Sequence, residues 1–89
     1  TLADERWVAP DDEASNERLL VSALSGTPAA AARIVGLKTR HAAPDSALAE
    51  VAGRLATLPR PFDAVVLGMG EDAHTASLFP GAAALAIPE

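Results

Sequence analysis

The run Phe62-Asp63-Ala64-Val65-Val66-Leu67, entered from a proline-terminated helical pattern and left through Gly68-Met69-Gly70, constrains this chain more than any other feature. A continuous apolar stretch broken by one acid near its start is the pattern of a strand covered on both faces. Helix followed by buried strand is the signature of an α/β fold with a parallel sheet flanked by helices. The preceding helix is equally legible. Pro44-Asp45 opens it, and Leu48, Val51, Ala52, Leu55 and Leu58 recur at offsets of three and four as one apolar stripe before Pro59 and Pro61 end it. Glu50 and Arg54 form an i,i+4 pair on its polar face.

Upstream, Ser15 has the hydroxyl expected of an N-cap. It predicts a helix from Asn16 to Leu24, stopped by Gly26 and Pro28. Ala29 to Arg33 reads as a second short helix, and Arg33 to Leu37 as a brief buried strand. Thr1 to Val8 reads as the end of an element that starts earlier. Residues 1–89 carry no repeat, no linker and no internal boundary, so they read as one small domain at most.

Composition excludes several classes of function. The net charge is -5 and both signs are interspersed through the 21% of residues that are charged, which leaves no basic stripe to follow a nucleic-acid backbone. No apolar run approaches the roughly 20 residues of a membrane span, and TLADERW has neither region of a signal peptide. A cytoplasmic location is the expectation. Cysteine is absent, which removes disulfides, thiolate zinc sites and a cysteine nucleophile. At 89 residues with few large aromatics, the core is expected to be thin.

Chemistry concentrates in Gly68 to Gly81, GMGEDAHTASLFPG. In open α/β sheets ligands bind beyond the carboxyl ends of strands, which is where this segment falls. Gly68 and Gly70 either let the backbone approach a ligand or simply make turns. His74 can accept a proton near neutral pH with Asp72 as its orienting carboxylate; the alternative is that both only cap the turn. Glu71 reads as solvated. In Asp4-Glu5-Arg6, Arg6 either sets a planar cation beside an anion or pairs locally with its acidic neighbours. His41 reads as a surface residue without a partner. Two histidines at this spacing make no zinc site, and Ser77 lacks the elbow of a serine nucleophile. Thr75 to Phe79 reads as one helical turn.

Asp4-Glu5-Arg6-Trp7-Val8, then Ser15-Asn16, then Phe62-Asp63 through Leu67-Gly68-Met69-Gly70-Glu71-Asp72-Ala73-His74-Thr75-Ala76-Ser77-Leu78-Phe79-Pro80-Gly81 resemble the 6-phosphogluconolactonase family. The resemblance spans essentially the whole chain and implies that residues 1–89 are a central part of a longer domain. It implies a parallel α/β fold related to glucosamine-6-phosphate deaminases and ribose-5-phosphate isomerases. The implied reaction is hydrolysis of a sugar-phosphate lactone, 6-phosphogluconolactone, in the oxidative pentose phosphate pathway, without metal or other cofactor. His74 matches the family's general base, Asp72 the acid that orients it, and Arg6 the active-site arginine; Asp4, Gly68 and Gly70 are the expected substrate contacts. A non-catalytic remnant or sugar-phosphate-binding module is the alternative, and a deaminase or isomerase the second. Arg6-Trp7 and Ser77-Leu78-Phe79-Pro80 resemble the lactonase branch. One position departs from the pattern: the family has glycine where this chain has Ala73.

Overall fold

The computed structural model describes residues 1–88. Helix α1 spans Asn16–Leu24 and α2 spans Leu48–Leu55, the latter entered through a 3-10 turn at Pro44–Ala47; a second 3-10 turn lies at Ala83–Ala86. Helix α1 stands where the sequence places it, and α2 lies within the predicted helix but is shorter: its first turn is 3-10, it ends at Leu55 before Leu58, and its apolar stripe is not buried, Leu48 being 66% exposed. Ser15 is extended (φ -70°, ψ 129°), as an N-cap must be, and Ser25 and Gly26 (φ 73°) carry the chain out of the other end of α1.

The four backbone N–H groups at the start of a helix need partners from outside it. At α1 all four have them. Ser15 N donates to Asp12 O at 3.0 Å, and Arg18 N to the Ser15 hydroxyl at 3.2 Å. Asn16 N and Glu17 N donate to the two oxygens of the Glu5 carboxylate at 2.6 and 2.9 Å. A side chain from the first motif thus completes the cap of a helix that begins eleven residues later.

Residues 1–7 and 35–41 lie side by side and run in the same direction. The Thr1 hydroxyl bonds Val35 O at 2.6 Å and the Trp7 indole N–H bonds His41 O at 3.0 Å, both at a separation of 34 residues. Lys38 Nζ sits 4.7 Å from the Trp7 ring centroid, adding a cation–π contact. Both helices brace this second segment. Glu17 of α1 lies so close over Gly36 that a Cβ there would collide with its carboxylate, and Arg54 of α2 bonds Gly36 O at 3.3 Å and Lys38 O at 2.9 Å. The predicted Glu50–Arg54 pair forms at 2.8 Å, which holds the guanidinium in place for those carbonyls.

Several expectations are corrected. Phe62–Leu67 is not a buried strand: Val65 and Val66 are 65% and 88% exposed, and no backbone ladder pairs this run or Arg33–Leu37 among the described residues. The expected parallel sheet is therefore not seen among the described residues. An apolar run specifies what its side chains need to be covered by, while a ladder also requires neighbouring strands in register. Ala29–Arg33 forms successive i→i+3 turns, not a helix, with the Thr27 hydroxyl accepting from Ala29 N. His41 is not partnerless: it is half-buried, with Nδ1 2.7 Å from the buried Thr39 hydroxyl.

Among the described residues Ala47 is the one fully buried apolar residue, and the buried polar groups are Ser15 and Thr39. The accessible surface is 6831 Å², against about 4,900 Å² for a compact monomer of this mass. The radius of gyration is 14.2 Å, where about 12 Å is usual for this length. The chain holds its shape through caps, turns and side-chain brackets more than through a core.

Candidate active site

The histidine loop is a pair of nested turns. Gly70 N donates to His74 O at 2.9 Å and Ala73 N to Gly70 O at 2.9 Å, while Met69 bridges Thr75. Ala73 takes φ 67°, the left-handed residue that follows a tight turn in a hairpin with a glycine-type bulge. That backbone favours glycine, and here it is held by alanine.

A second tight turn follows where a helical turn was expected. Thr75 N donates to Leu78 O at 3.1 Å and Leu78 N returns to Thr75 O at 2.9 Å, with Ala76 at φ 50°. A left-handed residue in the first central position bends the chain into a hairpin connection, which excludes a right-handed helical turn. The turn presents the Ser77 hydroxyl to Asp4, whose Oδ2 it bonds at 2.8 Å. Asp4 Oδ1 accepts from Asn16 Nδ2 at 3.1 Å.

His74 is fixed on three sides. Its Nδ1 lies 2.5 Å from Asp72 Oδ1, which also accepts the His74 backbone N–H at 3.1 Å. Its ring stacks on Phe79, with centroids 4.5 Å apart and planes 26° from parallel. The third constraint is Gly70, where a Cβ would overlap the imidazole. The hydrogen bond from the His74 ring, followed by that from its backbone N–H, holds the Asp72 carboxyl below its ordinary value, so the acid is ionised at neutral pH and favours the tautomer with hydrogen on Nδ1. The lone pair is then on Nε2.

Ala3, Asp4, Gly68, Met69, Gly70, His74 and Ala76 line a cleft of about 310 Å³. Of the residues singled out in the sequence, the cleft brings together Asp4, Gly68, Gly70 and His74, with Asp72 behind the histidine. It does not include Arg6, whose Nη1 bonds Ala14 O at 3.1 Å. A larger apolar cleft of about 590 Å³ lies between Thr1–Ala3 and Phe62–Leu67; its ionisable lining side chains are Arg60 and Asp63. The smaller cleft has the acid–base groups and is the better candidate site. Among the described residues no three His, Asp or Glu converge as metal ligands.

Sequence reasoning missed the work of Glu5, Ser77 and Phe79. Glu5 looked like half of a local ion pair, yet its carboxylate accepts four donors: the N–H groups of Arg6, Asn16 and Glu17 and the Ser15 hydroxyl. Partial burial opposes its ionisation, but these bonds, the one from Asn16 foremost, prevail and lower its pKa. The acid after Asp4, followed by Ser15-Asn16, was the available signal.

A histidine loop closes over an acidic motif at this cleft, and a sequence model describing glucosamine-6-phosphate isomerases and 6-phosphogluconolactonase matches residues 1–89. The chain belongs to that family. Among its relatives, the 6-phosphogluconolactonase of Rhizobium meliloti is 49% identical over 81 residues, covering 91% of this chain and 35% of that protein. The Pseudomonas putida 6-phosphogluconolactonase is 49% identical over 80 residues, 90% of this chain and 33% of its own length. The crystal structure of a 6-phosphogluconolactonase from Shewanella baltica superposes with a TM-score of 0.88 at 48% identity, covering 94% of this chain and 36% of that one. The chain thus spans about a third of the length of the relatives it matches.

Proposed function

We propose that this chain carries the acid–base site of a 6-phosphogluconolactonase, hydrolysing 6-phospho-D-glucono-1,5-lactone to 6-phosphogluconate in the cytoplasmic oxidative pentose phosphate pathway. In this reading residues 1–89 belong to one parallel α/β domain. The observation that carries it is the Asp72–His74 bond through Nδ1, which leaves Nε2 as the free acceptor of a histidine that lines the cleft.

His74 Nε2 takes a proton from water as the water oxygen bonds to the lactone carbonyl carbon, giving a tetrahedral oxyanion. The intermediate collapses by breaking the bond to the ring oxygen. That oxygen receives the proton from the imidazolium and leaves as a hydroxyl, while the former carbonyl becomes the carboxylic acid. Asp72 keeps the ring oriented and stabilises its cationic form between the two transfers. Asp4, Gly68 and Gly70 contact the substrate. Arg6 reaches the developing charge only after its guanidinium leaves Ala14 O, a bond that also favours a second reading: a sugar-phosphate-binding module without turnover. The family's name leaves an amino-sugar-phosphate deaminase or isomerase as a third.

The test is His74→Asn in the full-length protein. Lactone hydrolysis above the spontaneous background should fall about 100- to 10,000-fold with the circular dichroism spectrum unchanged. An undiminished rate removes His74 as the base. Substrate binding without turnover in the parent protein selects the binding module, and release of ammonia or a ketose product selects the third reading.

A further inference from the structure

Among the described residues, Asp4 is the one carboxylate on the wall of the cleft that holds His74. Both of its oxygens are occupied from the protein side: Oδ1 by Asn16 Nδ2 at 3.1 Å and Oδ2 by Ser77 Oγ at 2.8 Å. The donors come from opposite ends of the chain, Asn16 from the first turn of α1 and Ser77 from the turn that follows the histidine loop. A carboxylate offers about four lone-pair positions, so two donors fix the plane of the group and leave about two acceptor positions for a ligand.

We propose that Ser77 is a positioning residue for ligand recognition, acting through Asp4. The hydroxyl holds the carboxylate in one orientation, in which its remaining lone pairs accept from hydroxyl groups of a polyhydroxylated ligand. The negative charge sets the direction of binding. A phosphate group is repelled by Asp4, so the hydroxyl-bearing carbons lie at this end of the cleft and the phosphate lies away from it. Without Ser77 the carboxylate keeps one donor and turns about its Cβ–Cγ bond, and the ligand must bear the cost of ordering it. The inference deepens the lactonase reading by assigning recognition of the sugar hydroxyls to the Ser77–Asp4–Asn16 chain.

The same interaction forms in the bound ground state and in the transition state, so its loss acts on KM more than on kcat. In the full-length protein, Ser77→Ala should raise KM for the lactone about five- to tenfold with kcat within about twofold of the parent. Ser77→Thr, which keeps the hydroxyl, should restore KM. By NMR, Ser77→Ala should shift the Asp4 carboxyl and Asn16 side-chain amide resonances while leaving the rest of α1 in place. An unchanged KM, an equal fall in kcat and kcat/KM, or failure of threonine to rescue would overturn the proposal. If the parent protein shows no lactone hydrolysis, the lactonase reading fails by itself. Ser77 is then judged by titration with 6-phosphogluconate: a Kd raised about five- to tenfold in Ser77→Ala supports the positioning role, and equal Kd values overturn it.

Discussion

The imidazole of His74 occupies the space that a Cβ on Gly70 would fill. Gly70 does not have a left-handed backbone, so alanine fits its main chain, and the nearest conflict is with the ring. That distinction separates function from stability. Gly70→Ala should push the imidazole off Asp72 and Phe79, with little effect on folding because the displaced group is a rotatable side chain. Lactone hydrolysis should fall at least about tenfold, as expected when a base loses its orientation. Stability within about 0.5 kcal/mol of the parent with that loss of rate supports the ring-placement role. A parental rate would mean that the ring does not need its position over Gly70.

Ala73 presents the opposite case. Its φ of 67° places a Cβ in the left-handed region, which costs about 1 kcal/mol relative to glycine. The turn nevertheless closes and delivers His74 to Asp72. Ala73→Gly should therefore stabilise the loop and raise turnover, by no more than about fivefold if the whole of that strain opposes the productive geometry. Paired unfolding and rate measurements test it. A destabilised variant with unchanged rate would show that the loss of unfolded-state restriction outweighs the relieved strain.

Features made by near neighbours were legible in the sequence. Ser15 announces α1, the Glu50–Arg54 pair follows from helical spacing, and Asp72 reaches His74 across two residues. Features made across the chain were not. The role of Glu5 at α1 was hinted at only by pairing its acid with the distant Ser15-Asn16, and nothing in Asp4-Glu5-Arg6 indicates that Asp4 meets Ser77. The turn at Thr75–Leu78 was missed because its left-handed residue is Ala76, where glycine would have marked it. For Phe62–Leu67 the hydrophobic pattern stated a requirement for cover, and whether a strand pairs there depends on partners that the pattern does not contain.

The exposure of that run has a consequence in solution. Val65, Val66 and Leu67 form a β-prone, uncharged stretch whose backbone is unpaired among the described residues. Such a segment templates pairing between chains. The 89-residue chain should self-associate in sedimentation velocity as concentration rises, and Val66→Lys should suppress this by placing a charge in the middle of the stretch. Concentration-independent monomer for the parent chain, or equal association of both, would point to another surface.

Glu5 links the first motif to α1, and its lowered pKa gives that link a pH signature. Burial works against the charge, while the N–H groups of Asn16, Glu17 and Arg6 and the Ser15 hydroxyl favour it more strongly. A carboxyl whose folded pKa lies below its ordinary 4.5 binds its proton less readily in the folded state than in the unfolded one. Its stabilising contribution is therefore complete above the ordinary value and is lost as pH falls through the folded value. Glu5→Gln keeps the shape but removes the charge, and should lower stability by about 1 kcal/mol at neutral pH, in the range of other helix-cap losses. The difference between parent and variant should shrink on acidification below 4.5 and vanish once Glu5 is protonated in both folded and unfolded states. Urea midpoints from pH 7 downward measure it. A difference that stays constant with pH would show that the amide fails at α1 through geometry, and that the charge on Glu5 contributes nothing to the cap.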